Sequence, residues 1–394
     1  MSNILFLDAN DTLQEAILYA KECGYRVITC DNMPAHSCHR LADKSYNIST
    51  YDLDALKVVV EHEYIDGIVY MSSAHGLYAA CRLNEWYHLP GIPYSTERLF
   101  SDKALFRELL EENHLDNPAF QVVSGIEEID LSSLTYPVII KPADAGGGNA
   151  GITRVLDSSD LFPAVEKAFS IPSCSKVLIE SYIDSDLRFN GDCLICDGIL
   201  KLCYLGSYVY SDQDAILPYA TIFSPSLISD DIFSRVKVMI QRLVSLTRLE
   251  NGIINIELRI GHDGKIYFIE VNPRHSGNQI FRLMNVAYGV NMSEIAVKLA
   301  LGKPIDLPDK NPEGNYAYAL LYASEAGILD RIDVSSDLRE DIINYQPFVK
   351  KGDAIHRFVT LRDRLALLHL TDNSSLRLYE KVTHLSDYYK VRLQ

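Results

Sequence analysis

The segment from Ile253 to Asn272 constrains the fold of this chain more than any other. Apolar and polar residues alternate from Asn255 to Ile260, a second apolar-rich run leads from Ile266 to Asn272, and Asp263-Gly264 lies between the two. Alternation with period two marks a half-buried strand, and Asp-Gly between two such runs is the strongest short-range hairpin signal. With Asp263-Gly264 as a two-residue loop, His262 pairs with Lys265, and counting outward sets Glu257 opposite Glu270 and Asn255 opposite Asn272. The other face pairs Ile256 with Val271, Leu258 with Ile269 and Ile260 with Tyr267, and is the expected core face. Like charges directly opposite on a sheet repel. A cation between the two glutamates relieves that repulsion, and hard oxygen ligands with room left for phosphate oxygens suit Mg2+, with Mn2+ as a substitute.

Hydrated glutamates on a solvent face are the plain alternative, and a one-residue change in loop length would slip the register. The continuation Glu270-Val271-Asn272-Pro273-Arg274 favours the metal reading, because a carboxylate and an amide share one face and a guanidinium follows. A second stretch points to the same ligand. Tyr136 to Lys141 is an apolar strand ending in lysine, followed by the glycine-rich loop Gly146-Gly147-Gly148-Asn149-Ala150-Gly151 and a second strand to Val155. Glycines let backbone N–H groups approach a phosphate, and Lys141 supplies a point charge. No Gly-Lys-Ser/Thr opens a helix here, so this is not a Walker P-loop.

The order of these elements resembles that of the ATP-grasp superfamily, in the branch shared by biotin carboxylase, carbamoyl-phosphate synthetase and the L-amino-acid ligases. The matching pieces are Ser101-Asp102-Lys103 at the start of a helix, the Tyr136 to Val155 loop, Val177 to Ile183, and Glu257 through Arg274, within residues 1 to 305. The resemblance implies that Lys103 and Lys141 hold ATP phosphates and that Gly146, Gly147 and Gly148 belong to a mobile flap. It implies that Glu180 with the backbone of Tyr182 and Ile183 reads adenine, that Glu257, Glu270 and Asn272 bind magnesium, and that Arg274 stabilises the reacting carboxyl or its phosphate. Relatives carry a glutamate after the hinge for the ribose hydroxyls. This chain has Asp184-Ser185-Asp186-Leu187-Arg188 there, with Asp186 as the candidate.

The expected chemistry is acyl activation. A carboxylate is a poor acylating agent at neutral pH, and phosphoryl transfer from ATP makes it a good one. That step needs positioning and charge stabilisation, not a protein nucleophile. In keeping with this, the chain has no Gly-x-Ser-x-Gly elbow and no HExxH helix.

Net charge is −16, which argues against nucleic-acid binding through a basic face. The start, Met1 to Asp8, has no basic region and only a short apolar run, no stretch approaches a membrane span, and a cytoplasmic location is expected. Eight scattered cysteines then read as free thiols. Cys193-Leu194-Ile195-Cys196 has CxxC spacing but lies in an apparent strand without a second ligand pair, and His36, Cys38 and His39 fit a solvated loop.

The expected fold class is α/β and α+β multidomain: an ATP-grasp fold with an N-terminal Rossmann-like domain (1–100), a linker helix and mobile glycine-loop flap (101–184), a C-subdomain with the metal hairpin (185–305) and a C-terminal β-rich extension (306–394). The first strand is followed by Asp8-Ala9-Asn10-Asp11 in place of a GxGxxG turn, which argues against a nicotinamide cofactor. The motifs and the resemblance together imply an ATP- and Mg2+-dependent ligase joining a small carboxylic acid to an amine, with a homodimer among the expected assemblies and no nucleic-acid or membrane partner expected. Two alternatives stay open: an ATP-grasp enzyme that carboxylates or modifies a nucleotide or sugar precursor, and a non-catalytic Mg-ATP-binding regulator.

Overall fold

The computed structural model describes residues 1–144, 150–211 and 217–394. The N-terminal part is a parallel sheet of four strands in the order Lys44–Tyr46, Arg26–Cys30, Asn3–Leu7, Gly67–Val69. Helix Gln14–Glu22, the short 3-10 helix Ser37–Leu41 and helix Leu53–Glu63 lie in the crossovers that parallel strands require, and helix Ala74–Tyr87 follows the last strand. At the end of the first strand Asp8 takes φ +62°, the left-handed conformation that a glycine often supplies, and the Asn10 side chain caps the next turn.

The flap is an antiparallel sheet ordered Phe120–Val123, Val177–Ser181, Val138–Pro142, Thr153–Val155. The helix Leu161–Phe169 closes its core with Leu161, Ala164, Val165 and Ala168 against Val138, Ile140 and Ile179. The helix Lys103–Glu112 leads into this unit, and Asp102 caps it by accepting from the N–H groups of Ala104 and Leu105.

The largest element is an antiparallel sheet of eight strands: Ile266–Asn272, Gly252–Ile260, Leu187–Cys196, Ile199–Tyr210, Pro218–Phe223, Tyr316–Leu321, Ala366–Thr371 and Ile342–Pro347. It crosses the boundary drawn at residue 305. Three of its strands come from the C-terminal extension, which is therefore no separate layer: Tyr316–Leu321 pairs directly with Pro218–Phe223. Of the remaining extension, Gly327–Val334, Ala354–Ile355 and Tyr389–Leu393 form a small sheet of their own. The helix Asp230–Thr247 covers one face of the large sheet through Val236, Ile240, Leu243 and Val244.

The hairpin departs from the expected geometry twice. Its loop has three residues, His262 to Gly264, closed by Gly261 N–H to Lys265 C=O at 3.0 Å, with Gly264 at φ +75°. That shifts the register by one, so Leu258 pairs with Phe268 and Ile260 with Ile266, correcting the expected Leu258–Ile269 and Ile260–Tyr267 pairs. A bulge at Ile269 then adds one residue to the second strand, and Glu257 returns opposite Glu270 and Asn255 opposite Asn272. The bulge also explains the core: Ile266, Phe268 and Val271 turn inward together with Ile256, Leu258 and Ile260.

Candidate active site

Alternation along the large sheet builds a polar patch on one face. In Gly252–Ile260 the even residues enter the core, so Asn255, Glu257 and Arg259 share the other face. Register pairs Asn255 with Asp192 and Glu257 with Asn190 on the neighbouring strand, and with Asn272 and Glu270 on the far side. The patch is tightly bonded. Asn255 Nδ2 donates to Asp192 Oδ1 at 2.9 Å and to Asn190 Oδ1 at 3.2 Å, and Asn190 Nδ2 donates to the Tyr208 hydroxyl. Burial and the facing Glu270 push the Glu257 carboxyl up to about 7, partly offset by a hydrogen bond from Tyr208 and the charges of Arg259 and Arg274.

Arg274 follows the second hairpin strand, and its Nη1 donates to the His275 carbonyl at 2.8 Å. Burial pulls its guanidinium below the usual range, opposed by Glu270, Asp192 and Glu257. The sequence reading assigned Glu257, Glu270, Asn272 and Arg274 but missed Asn190, Asp192 and Tyr208. A signal for two of them was present: Arg188, Asn190 and Asp192 alternate with Phe189, Gly191 and Cys193, the same period that revealed the hairpin.

Two carboxylates and a carboxamide, all hard oxygen donors, with one carboxyl held up by its neighbour, fit a magnesium-sized cation that completes its shell with phosphate oxygens and water. Among the described residues no cluster of three or more His, Cys, Asp or Glu side chains is arranged for a metal, so an all-protein cage is absent there.

The second group of site residues surrounds Glu180. Lys141 Nζ lies 2.5 Å from its Oε1 and Arg107 Nε 2.8 Å from its Oε2, all three side chains being buried. Desolvation alone would raise the Glu180 carboxyl, but Arg107 and Lys141 outweigh it and bring it down to about 2. Burial draws Lys141 down to about 8, opposed by Glu180 and assisted by the charges of Arg107 and Lys103. Arg107 Nη1 also donates to the Phe268 carbonyl at 2.7 Å, so one guanidinium joins the linker helix, the flap and the hairpin of Glu257 and Glu270. Arg107 was not anticipated. Its sign in the sequence is a cation one helical turn after Lys103 on a face with Ala104 and Leu110.

The hinge beyond Glu180 is pinned. Tyr182 N–H donates to the Pro137 carbonyl at 3.0 Å, Arg259 Nη1 donates to the Ile183 carbonyl at 2.8 Å, and the guanidinium carbons of Arg154 and Arg259 lie 4.2 and 5.1 Å from the Tyr182 ring centroid. Asp186 is exposed. Gly146, Gly147 and Gly148 lie outside the described residues. Cys193 and Cys196 enter opposite cores, and Cys193 instead faces Cys203 across the ladder. His36 pairs with Asp31, Cys38 donates to the Asn10 carbonyl at 3.1 Å and His39 Nδ1 meets Thr29 Oγ1 at 2.9 Å, so these three do not converge. No helix among the described residues is long and apolar enough to cross a membrane.

The flap, the parallel N-terminal domain and the large antiparallel sheet together form an ATP-grasp fold. Residues 134–282 match the family model of the ATP-grasp domain. The chain is similar to the carbamoyl phosphate synthase large chain of Clostridium acetobutylicum, 28% identical over 72% of this chain and 26% of that one. It is also similar to the C-terminal section of the Aquifex aeolicus large chain, 25% identical over 74% and 54%. The chain thus spans about a quarter to a half of the length of these relatives. Among solved structures, an L-amino acid ligase from Bacillus licheniformis superposes with a TM-score of 0.88 at 18% identity, covering 100% of this chain and 99% of that one. A phosphoribosylglycinamide synthetase from Anaerococcus prevotii superposes at 0.78 and 18% identity, covering 100% of both chains.

Proposed function

We propose that this protein is an ATP-dependent ligase that activates a small carboxylate as an acyl phosphate and joins it to an amine, releasing ADP and phosphate. The observation that carries the reading is the register pairing of Glu257 with Glu270 beside the half-buried Arg274. Two acidic groups and a guanidinium on one sheet face suit a reaction in which phosphate charge must be held while it moves between oxygens.

In the proposed reaction a carboxylate oxygen attacks the γ-phosphorus, the bond from that phosphorus to the bridging oxygen breaks, and ADP leaves. The amine nitrogen then attacks the acyl carbon, the bond from that carbon to the phosphate-bearing oxygen breaks, and the nitrogen gives up a proton. Glu257, Glu270 and Asn272 would hold a divalent cation, which supplies positive charge to the phosphate oxygens. Lys103 and Lys141 hold the nucleotide phosphates, and Gly146, Gly147 and Gly148, which lie outside the described residues, belong to the same proposed nucleotide site. Glu180 sets Lys141 in place, and the backbone at Tyr182 and Ile183 meets the base, with Asp186 the candidate for the ribose. Arg274 orients the carboxylate and screens the phosphoryl group. An amino acid is the favoured carboxylate and a second amino acid the favoured amine, in line with the likeness to the L-amino acid ligase fold.

The test is ADP and phosphate release with Mg-ATP against pooled amino acids, hydroxy acids, bicarbonate and nucleotide precursors, with AMP followed in parallel. ADP release that needs both a carboxylate and an amine pool is the expected result. Release driven by bicarbonate or a ribotide alone would instead identify a carboxylating or ribotide-modifying enzyme. AMP formation would rule out the acyl phosphate, and tight Mg-ATP binding with no turnover in any pool would favour a regulator.

A further inference from the structure

Asp192 lies mid-strand in Leu187–Cys196 with none of its surface exposed. A buried carboxylate is tolerated only when donors match it, and each contact here is a donor. Asn255 Nδ2 lies 2.9 Å from Oδ1, the Ser276 N–H reaches both oxygens at 3.2 Å, and His275 Nδ1 lies 3.2 Å from Oδ2. The acceptor assigns the Nδ1–H tautomer to His275.

His275 and Ser276 are the two residues after Arg274, and the Arg274 guanidinium folds back onto the His275 carbonyl. From the other side the His275 N–H donates to the Met71 carbonyl at 3.1 Å and the Ser72 hydroxyl to the Ser276 carbonyl at 2.9 Å. The loop is therefore clamped between the N-terminal domain and one carboxylate of the large sheet. Asp192 also contributes negative charge that favours the charged guanidinium of Arg274.

We propose that Asp192 is the positioning residue for Arg274, fixing the loop from Arg274 to Ser276 so that the guanidinium meets the transferring phosphoryl group. This rests on the role given to Arg274 above. The variant Asp192→Asn keeps the shape of the side chain, but its new amide donor faces His275 Nδ1–H or Asn255 Nδ2, where an acceptor is needed.

The experiment measures capture of aluminium fluoride, a mimic of the phosphoryl group in transfer, by the full chain with Mg-ADP. Mg-ADP affinity is measured alone as the control, and thermal melts report the fold. Asp192→Asn is expected to bind Mg-ADP as the parent does and to lose about tenfold or more in fluoride capture. Arg274→Ala should show the same loss, and the double variant should be no worse than Arg274→Ala, the non-additivity of two residues acting as one. A purely structural role would instead weaken Mg-ADP and fluoride capture together. Parent-level capture in folded Asp192→Asn, or in His275→Ala should the first variant not fold, overturns the proposal. Parent-level capture in Arg274→Ala is a different failure: it removes the role of Arg274 itself and the proposal with it.

Discussion

Lys141 and Glu180 form a buried ion pair at 2.5 Å, and Arg107 holds the other carboxylate oxygen at 2.8 Å. Among the described residues this carboxylate is the counter-charge that both buried cations share, at the site where a nucleotide would bring further negative charge. Glu180→Gln should cost about 3–5 kcal/mol, the range for breaking a buried pair on one side. Urea denaturation of the ligand-free protein measures this, and a loss below about 1 kcal/mol would mean that the cations find other partners. Mg-ATP should recover part of the stability, because its phosphates replace the missing charge.

Lys141→Ala tests the other partner. Nucleotide affinity measured by calorimetry should fall about tenfold or more, since a charge-assisted contact to phosphate is lost. Unchanged affinity would remove Lys141 from the nucleotide site and leave it a structural ion-pair member only.

For Glu270, function and stability should move in opposite directions. Glu270→Gln removes the like charge facing Glu257, so the ligand-free protein should melt at the same temperature or higher. ADP release should nevertheless be abolished. Near-parent turnover would show that the hairpin carboxylates hold no essential cation.

The Glu257 carboxyl, held up to about 7, gives the site a pH dependence. Its folded value lies above the unfolded one of about 4.3, so the folded state keeps the proton more tightly and this group's contribution to stability declines as pH rises from about 4.3 to 7. Cation binding needs the carboxylate and runs the other way. Mg2+ affinity should therefore rise about tenfold between pH 6 and pH 8, with proton release visible as a buffer-dependent calorimetric enthalpy. A flat profile would take Glu257 out of the cation site.

Deletion of Ile269 isolates the bulge. With that residue gone the ladder runs regularly from the Leu258–Phe268 pair to the Glu257–Glu270 pair, so both register and faces survive. The deletion variant should fold and retain Mg2+ binding, while turnover drops because a bulge sets local twist and side-chain aim. Loss of Mg2+ binding in a folded variant would show that the bulge itself shapes the cation site.

How far the sequence reveals this site follows from the range of the interactions. The helix start at Asp102 is readable because a cap and the apolar spacing behind it are local. The pairing of Glu257 with Glu270 was reached through a loop one residue too short, and the unforeseen bulge at Ile269 compensated. Such a bulge has no sequence mark in a run as uniformly apolar as Ile266 to Ile269. Arg107 and Asp192 follow the local helix and strand periods, but their partners Glu180 and Ser276 lie 73 and 84 positions away, and a contact of that span leaves no mark of which residues meet. The union of the C-terminal strands with the large sheet is equally non-local, since nothing in the β-rich extension names Pro218–Phe223 as the neighbour of Tyr316–Leu321.

That union also sets an order of assembly during synthesis. The hairpin edge of the large sheet is complete once Asn272 has left the ribosome, but the strand Pro218–Phe223 stays an open edge until Tyr316–Leu321 emerges, and Ala366–Thr371 must follow to cover that strand in turn. Between these moments the nascent chain exposes unpaired backbone groups beside the apolar side chains of Ala220 and Ile222. An exposed edge of this kind invites pairing with another chain. The half of the protein that carries the paired glutamates can thus be built well before it is safe from its neighbours, and translation pauses between residues 223 and 316 would govern yield more than any pause earlier in the chain.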